Sequence, residues 1–211
     1  MKQILIRPHA LHRIMTEPKV KTEVLSVGAK TYIKDLAKQY YFGYEARFSS
    51  KETNKGIEVE DAAIELYNDV FFTSHQKNTV RTNNAWLSGE CDILAPDRVI
   101  DIKSSWSLAT FPATKEDADS KEYEWQGRGY MMLYDRPLHE VAFCLVTTPE
   151  HLIGYEDDTL HYVDHLPPES RIVTVQYQRD SELEERIKQK CDAANEYYLT
   201  ALENIRAARV H

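Results

Sequence analysis

The stretch Ser88-Gly89-Glu90-Cys91-Asp92-Ile93-Leu94-Ala95-Pro96-Asp97-Arg98-Val99-Ile100-Asp101-Ile102-Lys103 reads as two short apolar strands around a Pro96-Asp97 turn. Asp101 and Lys103 are two residues apart, so on a strand both side chains stand on one face. Two other acid-x-Lys tripeptides occur, Glu17-Pro18-Lys19 and Asp119-Ser120-Lys121. The first contains a proline and the second sits in a polar segment. Only Asp101-Ile102-Lys103 follows an apolar run, Val99-Ile100, that fixes it on a buried strand. Folding the two strands antiparallel brings Asp92 beside Asp101. Two like charges so placed are unfavourable unless a cation or a proton lies between them. A hard divalent ion with oxygen ligands and retained waters suits the pair. Lys103 then stabilises negative charge or orients a water, and Glu60, on a preceding helix, offers a third carboxylate. Spacing alone equally allows a plainer reading, with Asp92 a turn residue, Asp101 paired only with Lys103, and Glu60 solvated.

Outward from this stretch, helices and strands interleave. Tyr32, Ile33, Leu36, Ala37 and Tyr40 mark a helix over 30–41. Gly56 precedes a second, whose face is Ile57, Val59, Ala62, Ala63, Leu66, Tyr67 and Val70, with Glu60 inside it. Strand pieces are expected at 78–81 and 85–87, and a helix at 122–133. A buried central strand is expected at 141–146 and another strand at 171–177. A long amphipathic helix is expected over 180–210, stepping through Leu183, Ile187, Cys191, Ala194, Tyr198, Leu202 and Ile205. Residues 71–76, 114–121 and 154–168 read as loops. The whole is an α/β fold, a central mixed sheet flanked by helices.

With 211 residues, the chain has the length of one domain and can bury a core without disulfides. Cys91, Cys144 and Cys191 form no C-x-x-C pair, and the count is odd, so neither a zinc site nor a disulfide framework is favoured. Cys91 and Cys144 read as buried small hydrophobes. No apolar run reaches transmembrane length and no signal-peptide core stands at the N-terminus, which gives the expectation of a cytoplasmic protein. Net charge is −8, yet residues 1–55 hold eleven Lys/Arg against five acids, +6, leaving −14 for 56–211. A basic helical N-terminal segment is thus set against an acidic core within one domain over 1–211.

Four ordered elements resemble the PD-(D/E)XK nuclease superfamily, in its RecB-type branch with the phage lambda exonuclease and the YqaJ-like viral recombinases. Gly56-Ile57-Glu58-Val59-Glu60 matches the family's helix motif, in which a glycine is followed four residues later by a metal-binding glutamate. Ser88-Gly89-Glu90-Cys91-Asp92 takes the place of the segment that supplies the first metal-binding aspartate, with Cys91 where the family has proline. Asp101-Ile102-Lys103 is the D/E-x-K element, and Trp125-Gln126-Gly127-Arg128-Gly129-Tyr130 resembles the Q-x-x-x-Y helix. The resemblance implies a restriction-endonuclease-like core. It makes Glu60, Asp92, Asp101 and the Ile102 carbonyl ligands of Mg²⁺ (Mn²⁺ substituting), in two ions per site. Lys103 becomes the catalytic lysine and Gln126 an orienting residue.

The activity implied is Mg²⁺-dependent exonuclease action on linear double-stranded DNA ends, 5′→3′, in phage-type recombination. It further implies a homo-oligomer, a ring-shaped trimer, and a single-strand annealing protein as partner, in the host cytoplasm if phage-encoded. An endonuclease of the same fold, restriction-like or junction-resolving, and a non-catalytic DNA-binding module are the alternatives. Because acidic residues repel DNA, affinity is expected from the basic segment. Lys30, Lys34 and Lys38 form a ridge there, and Lys55 lies at its end. Arg128 and Tyr130, near Gln126, are further candidates for DNA contact, Tyr130 fitting a core position equally well.

Overall fold

The computed structural model describes residues 3–46 and 49–209. In chain order the helices and strands are α1 (Leu11–Ile14), α2 (Val27–Phe42), α3 (Lys51–Glu58), α4 (Glu60–Phe71), β1 (Thr82–Asn83), β2 (Ser88–Gly89) and β3 (Ile93–Leu94). They continue with β4 (Arg98–Ser104), α5 (Lys115–Ala118), α6 (Lys121–Tyr134), β5 (Leu138–Cys144), α7 (Glu150–Ile153), β6 (Ile172–Gln178) and α8 (Ser181–Ala207). Val210, the expected end of the last helix, lies outside the described residues, as do Lys2 and Arg47 of the basic count.

Four strands form a mixed sheet in the order β3-β4-β5-β6. β4 and β5 run parallel, Asp101 opposite Val141, which requires the crossover that α5 and α6 supply. β3 pairs antiparallel with β4, Ile93 opposite Ile100 and Leu94 opposite Val99. β6 closes the other edge antiparallel to β5. Alternation along β4 sends Ile100 and Ile102 to one face and Val99, Asp101 and Lys103 to the other. On the first face they join Ala63, Ile64 and Tyr67 of α4 with Ala142 and Cys144 of β5. On the second, Val99 joins a larger cluster from α1, α2, α6 and α8, including Leu11, Ile33, Tyr130, Ile187 and Leu202. The sheet is therefore covered on both sides, which is why β5 is buried almost throughout.

The basic segment is built into this core. Ile6 bridges to Leu87, and the Ile4 N–H donates to Asn195 Oδ1 at 2.8 Å. The boundary between residues 55 and 56, drawn from charge, falls inside α3.

Several expected elements shift. Gly56 precedes α4 but itself sits in a further helix, α3, which Ser50 caps by accepting the Thr53 N–H. The helix breaks at Val59 (φ −104°, ψ 11°), so Glu60 opens α4 instead of lying inside it. An acid there faces the positive end of the helix dipole. The pieces expected at 78–81 and 85–87 are displaced to β1 and β2, two residues each. The expected loop 114–121 contains α5, held by a capping box between Thr114 and Asp117, and 150–153 forms α7. All three cysteines are free and buried. Among the described residues no helix is long and apolar enough to cross a membrane.

Candidate active site

Continuing the β3–β4 register one step places Asp92 opposite Asp101. Asp92 itself is just off β3, and it replaces the strand partner that β4 lacks beyond Ile100: its Oδ2 accepts the Ile102 N–H at 2.7 Å. The N–H and C=O of one strand residue point the same way, so the Ile102 carbonyl is turned to that same open edge. Asp101 is 2% exposed. Its Oδ1 accepts from Gln126 Nε2 of α6 at 2.9 Å. Its Oδ2 meets the Lys103 ammonium as an ion pair at 2.6 Å.

The charges are mutually dependent. Burial, then Asp101, pushes the Asp92 carboxyl above the ordinary carboxylate range, while Lys103 and the Ile102 N–H oppose the rise. Burial works against the Lys103 ammonium, but Asp101 and then Asp92 overcome it and hold the amine up to about 12. Lys103 is therefore a cation at neutral pH, with 29% of its side-chain surface exposed. Its amine lies 5.5 Å from the ring centre of Tyr123, which packs edge-on against Phe143.

Asp92, Ile102, Lys103 and Tyr123 line an open cleft of about 600 Å³, and Glu60 lines it too. The Glu60 carboxylate, however, is turned to Lys77, 2.5 Å away. Among the described residues no group of three or more His, Cys, Asp or Glu side chains is arranged to hold a metal ion. Asp92 and Asp101 are brought together, whereas Glu60 shares the cleft with Asp92 and is engaged elsewhere. The donors nonetheless fit a hard divalent ion, for two carboxyl groups, Asp92 and Asp101, stand beside a strand carbonyl. Mg²⁺ is commonly held by one or two carboxylates with several waters retained.

The residues expected to touch DNA divide sharply. Lys55 is fully buried and its amine is consumed by backbone carbonyls, so it cannot reach DNA. Arg128 is held against its own helix by Glu124 at 2.6 Å and donates to the Gln178 carbonyl. Tyr130 is 5% exposed and donates to the Glu90 carbonyl at 2.9 Å, which makes it a core residue. Lys30 pairs with Glu23. Lys34 and Lys38 line a different groove, between α2 and the end of α8.

The part of the basic segment that lines the cleft is the start of α3, Glu52 and Thr53, and beside them the Lys51 ammonium lies 4.6 Å from the ring centre of Trp106, which lines the same cleft. Tyr123 and Lys77 were missed. Tyr123 was open to view, three residues before Gln126 and so on the same helix face. Lys77 carried no signal, being brought to Glu60 only by the chain's course after α4.

No model of a known protein family matches the chain. No curated protein sequence matches it either. Among solved structures it is similar to a phage-related exonuclease from Haemophilus somnus 129PT, with 35% identity over 97% of each chain and a TM-score of 0.91. It shares its fold with an alkaline exonuclease from Laribacter hongkongensis, at 17% identity over 98% of this chain and 95% of that one, TM-score 0.73. The complex of that exonuclease with dAMP gives 18% identity, the same coverage and a TM-score of 0.71. With Asp101 and Lys103 on β4, Asp92 opposite them, Gln126 of α6 on Asp101, and 35% identity along nearly all of both chains, the protein belongs to the phage-related exonuclease family, in the lambda-exonuclease-like viral recombinase branch of the PD-(D/E)XK nucleases.

Proposed function

We propose that the protein is a Mg²⁺-dependent exonuclease that hydrolyses phosphodiester bonds from the ends of linear double-stranded DNA, in the 5′→3′ direction, during phage-type recombination. The observation that carries this reading is the contact of Lys103 with Asp101 at 2.6 Å on the strand opposite Asp92, at the edge of an open cleft. A deoxynucleotide as product class accords with the dAMP complex of the Laribacter exonuclease.

Asp92, Asp101 and the Ile102 carbonyl would hold the ion, with Glu60 joining once released from Lys77, and a second ion is expected in the same cleft. Bound there, Mg²⁺ supplies an activated water and neutralises the scissile phosphate, and Mn²⁺ can take its place. Lys103, kept protonated by Asp101, places a fixed positive charge where the pentacovalent phosphate gathers negative charge. Gln126 holds Asp101 in one orientation through its amide. A homo-oligomer, a trimer in this reading, and a single-strand annealing protein complete the expected partners. Light scattering of the purified protein reads the first.

The deciding experiment digests linear duplex DNA, labelled separately at its 5′ and 3′ ends, with Mg²⁺, beside a closed circle. Release of label as mononucleotide from the 5′ end, with the circle left intact, is the expected result. Lys103→Ala is expected to slow release by about 10²–10³-fold, as loss of one preorganised donor does. Cutting of the circle overturns exonuclease action, and an equally active Lys103→Ala overturns the lysine's role.

A further inference from the structure

Lys55 is an unusual cation: fully buried, with no carboxylate among its hydrogen-bond partners. Its amine donates to the carbonyls of Ser105 at 2.6 Å, Trp106 at 3.0 Å and Val146 at 2.8 Å. Three ammonium protons thus meet three acceptors. Those carbonyls lie just past the ends of β4 and β5, where two parallel strands stop and their backbone groups lose their ladder partners. The Trp106 carbonyl also accepts from the buried Thr148 hydroxyl at 3.0 Å, which ties the cage to the segment after β5. Burial pushes the Lys55 amine down to about 8, while the three carbonyls favour its charged form.

The position of this cage gives it a consequence for the site. Lys55 is in the last turn of α3, one residue before Gly56 and five before Glu60. Ser105 is two residues beyond Lys103 on the opposite wall, and Gly56, Glu60, Lys103, Ser105 and Trp106 all line the one cleft. Resting on the nuclease reading above, we infer that Lys55 is a positioning residue: its ammonium clamps the α3–α4 break that carries Glu60 to the end of β4 that carries Asp101 and Lys103, and so sets the width of the metal and phosphate site. An apolar residue of the same length fills the same volume but takes the Lys55 hydrogen bond from the Ser105 and Val146 carbonyls and leaves Trp106 only its bond from Thr148. The two walls are then free to part.

Lys190 supplies a matched control. It is 7% exposed and donates to the carbonyls of Thr16 and Val24, at 3.1 and 2.6 Å, far from the cleft. The full chain is compared as wild type, Lys55→Met and Lys190→Met. Folding is followed by circular dichroism, steady-state kinetics by digestion of linear duplex with Mg²⁺, and metal binding by calorimetric titration with Mn²⁺ alone. For folded Lys55→Met we expect kcat at least tenfold lower with KM within twofold, and Mn²⁺ affinity at least fivefold weaker. Lys190→Met is expected within twofold of wild type throughout, even where its melting temperature falls as far.

A folded Lys55→Met with wild-type kcat and Mn²⁺ affinity overturns the inference, and so does an equal loss in Lys190→Met. If Lys55→Met does not fold, Lys55→Gln, which keeps amide donors in the cage, takes its place with an intermediate loss expected and wild-type behaviour overturning it. A wild type that cuts no DNA sinks the nuclease reading instead, and the Mn²⁺ titration still decides the part played by Lys55.

Discussion

Asp92 serves the fold and the site with one carboxyl group. By accepting the Ile102 N–H it finishes a strand pairing that β3 is too short to finish, and opposite Asp101 it sets a second carboxyl, which burial and Asp101 hold above the ordinary carboxylate range. The two roles separate by mutation. Asp92→Asn keeps a carbonyl oxygen for Ile102 and removes the charge, so it is expected to unfold in denaturant within about 1 kcal/mol of wild type while losing cleavage and Mn²⁺ binding. Asp92→Ala loses both and is expected to be about 1–3 kcal/mol less stable, the range for a buried polar group left unpaired. An active Asp92→Asn would remove the residue from the site. Gln126 behaves differently, since its amide donates to the Asp101 carboxylate and not to the sheet backbone. Gln126→Leu leaves buried Asp101 without its neutral donor, and both kcat and melting temperature are expected to fall. At this scale the sequence was legible where chemistry demands a spacing, as in Asp101-x-Lys103 on a strand. It was silent where the partner arrives by tertiary accident, as Lys77 does at Glu60.

At the scale of elements, α6 lies flat on the sheet because of what it lacks. A Cβ on Gly127 would stand 2.3 Å from Nδ1 of the His139 ring, which is wholly buried on β5 and has no freedom to move aside. Gly127→Ala is therefore expected to lift the helix, displace the adjacent Gln126 from Asp101, and lower stability and kcat together, by about 1–3 kcal/mol in unfolding free energy. His139 adds a pH term of known sign. Burial pushes its pKa down to about 4, so the folded state keeps it neutral where the unfolded chain, near 6.5, takes a proton. The unfolded state binds more protons between those values, so stability is full above pH 6.5 and is lost as pH falls towards 4. The loss is roughly 3 kcal/mol at 1.36 kcal/mol per unit. Stability curves for His139→Phe are expected to be flatter over that window than those of wild type, and parallel curves would refute the assignment. α8 was readable from its strong period, and β5 from the apolar run 141–146, although the strand starts three residues earlier, at Leu138, and ends at Cys144. α3 and α5 were not, because they are one or two turns long and rest on Ser50 and Thr114 caps, not on an apolar stripe.

For the molecule as a whole, the division of charge along the chain was read correctly from composition but misassigned in space. The N-terminal segment is no loose basic arm: Ile6, Leu11, Ile14, Ala29, Ile33 and Ala37 are buried in the core that α6 and α8 share. Counting charges cannot show this, because it takes the fold to reveal that the ridge of α2 turns towards the end of α8 and that Lys55 turns inward. Among the other cations of this segment, Arg7 stands just before the turn 8–10. Arg7 is exposed and loosely paired with exposed Glu45 at 3.6 Å, and both Arg7 and Lys103 act electrostatically on His9. An acidic protein that binds a polyanion must concentrate its cations where the strand passes, and each phosphate contact adds to the salt dependence of binding. Arg7→Gln is thus expected to weaken binding of end-labelled duplex, measured by anisotropy from 50 to 200 mM salt, and to reduce the slope of log Kd against log salt by about one. Lys34→Gln and Lys38→Gln are expected to leave that slope unchanged. If the α2 pair flattens it and Arg7 does not, DNA runs along the α2–α8 face instead, and the turn 8–10 serves only to pack the N-terminus against α6.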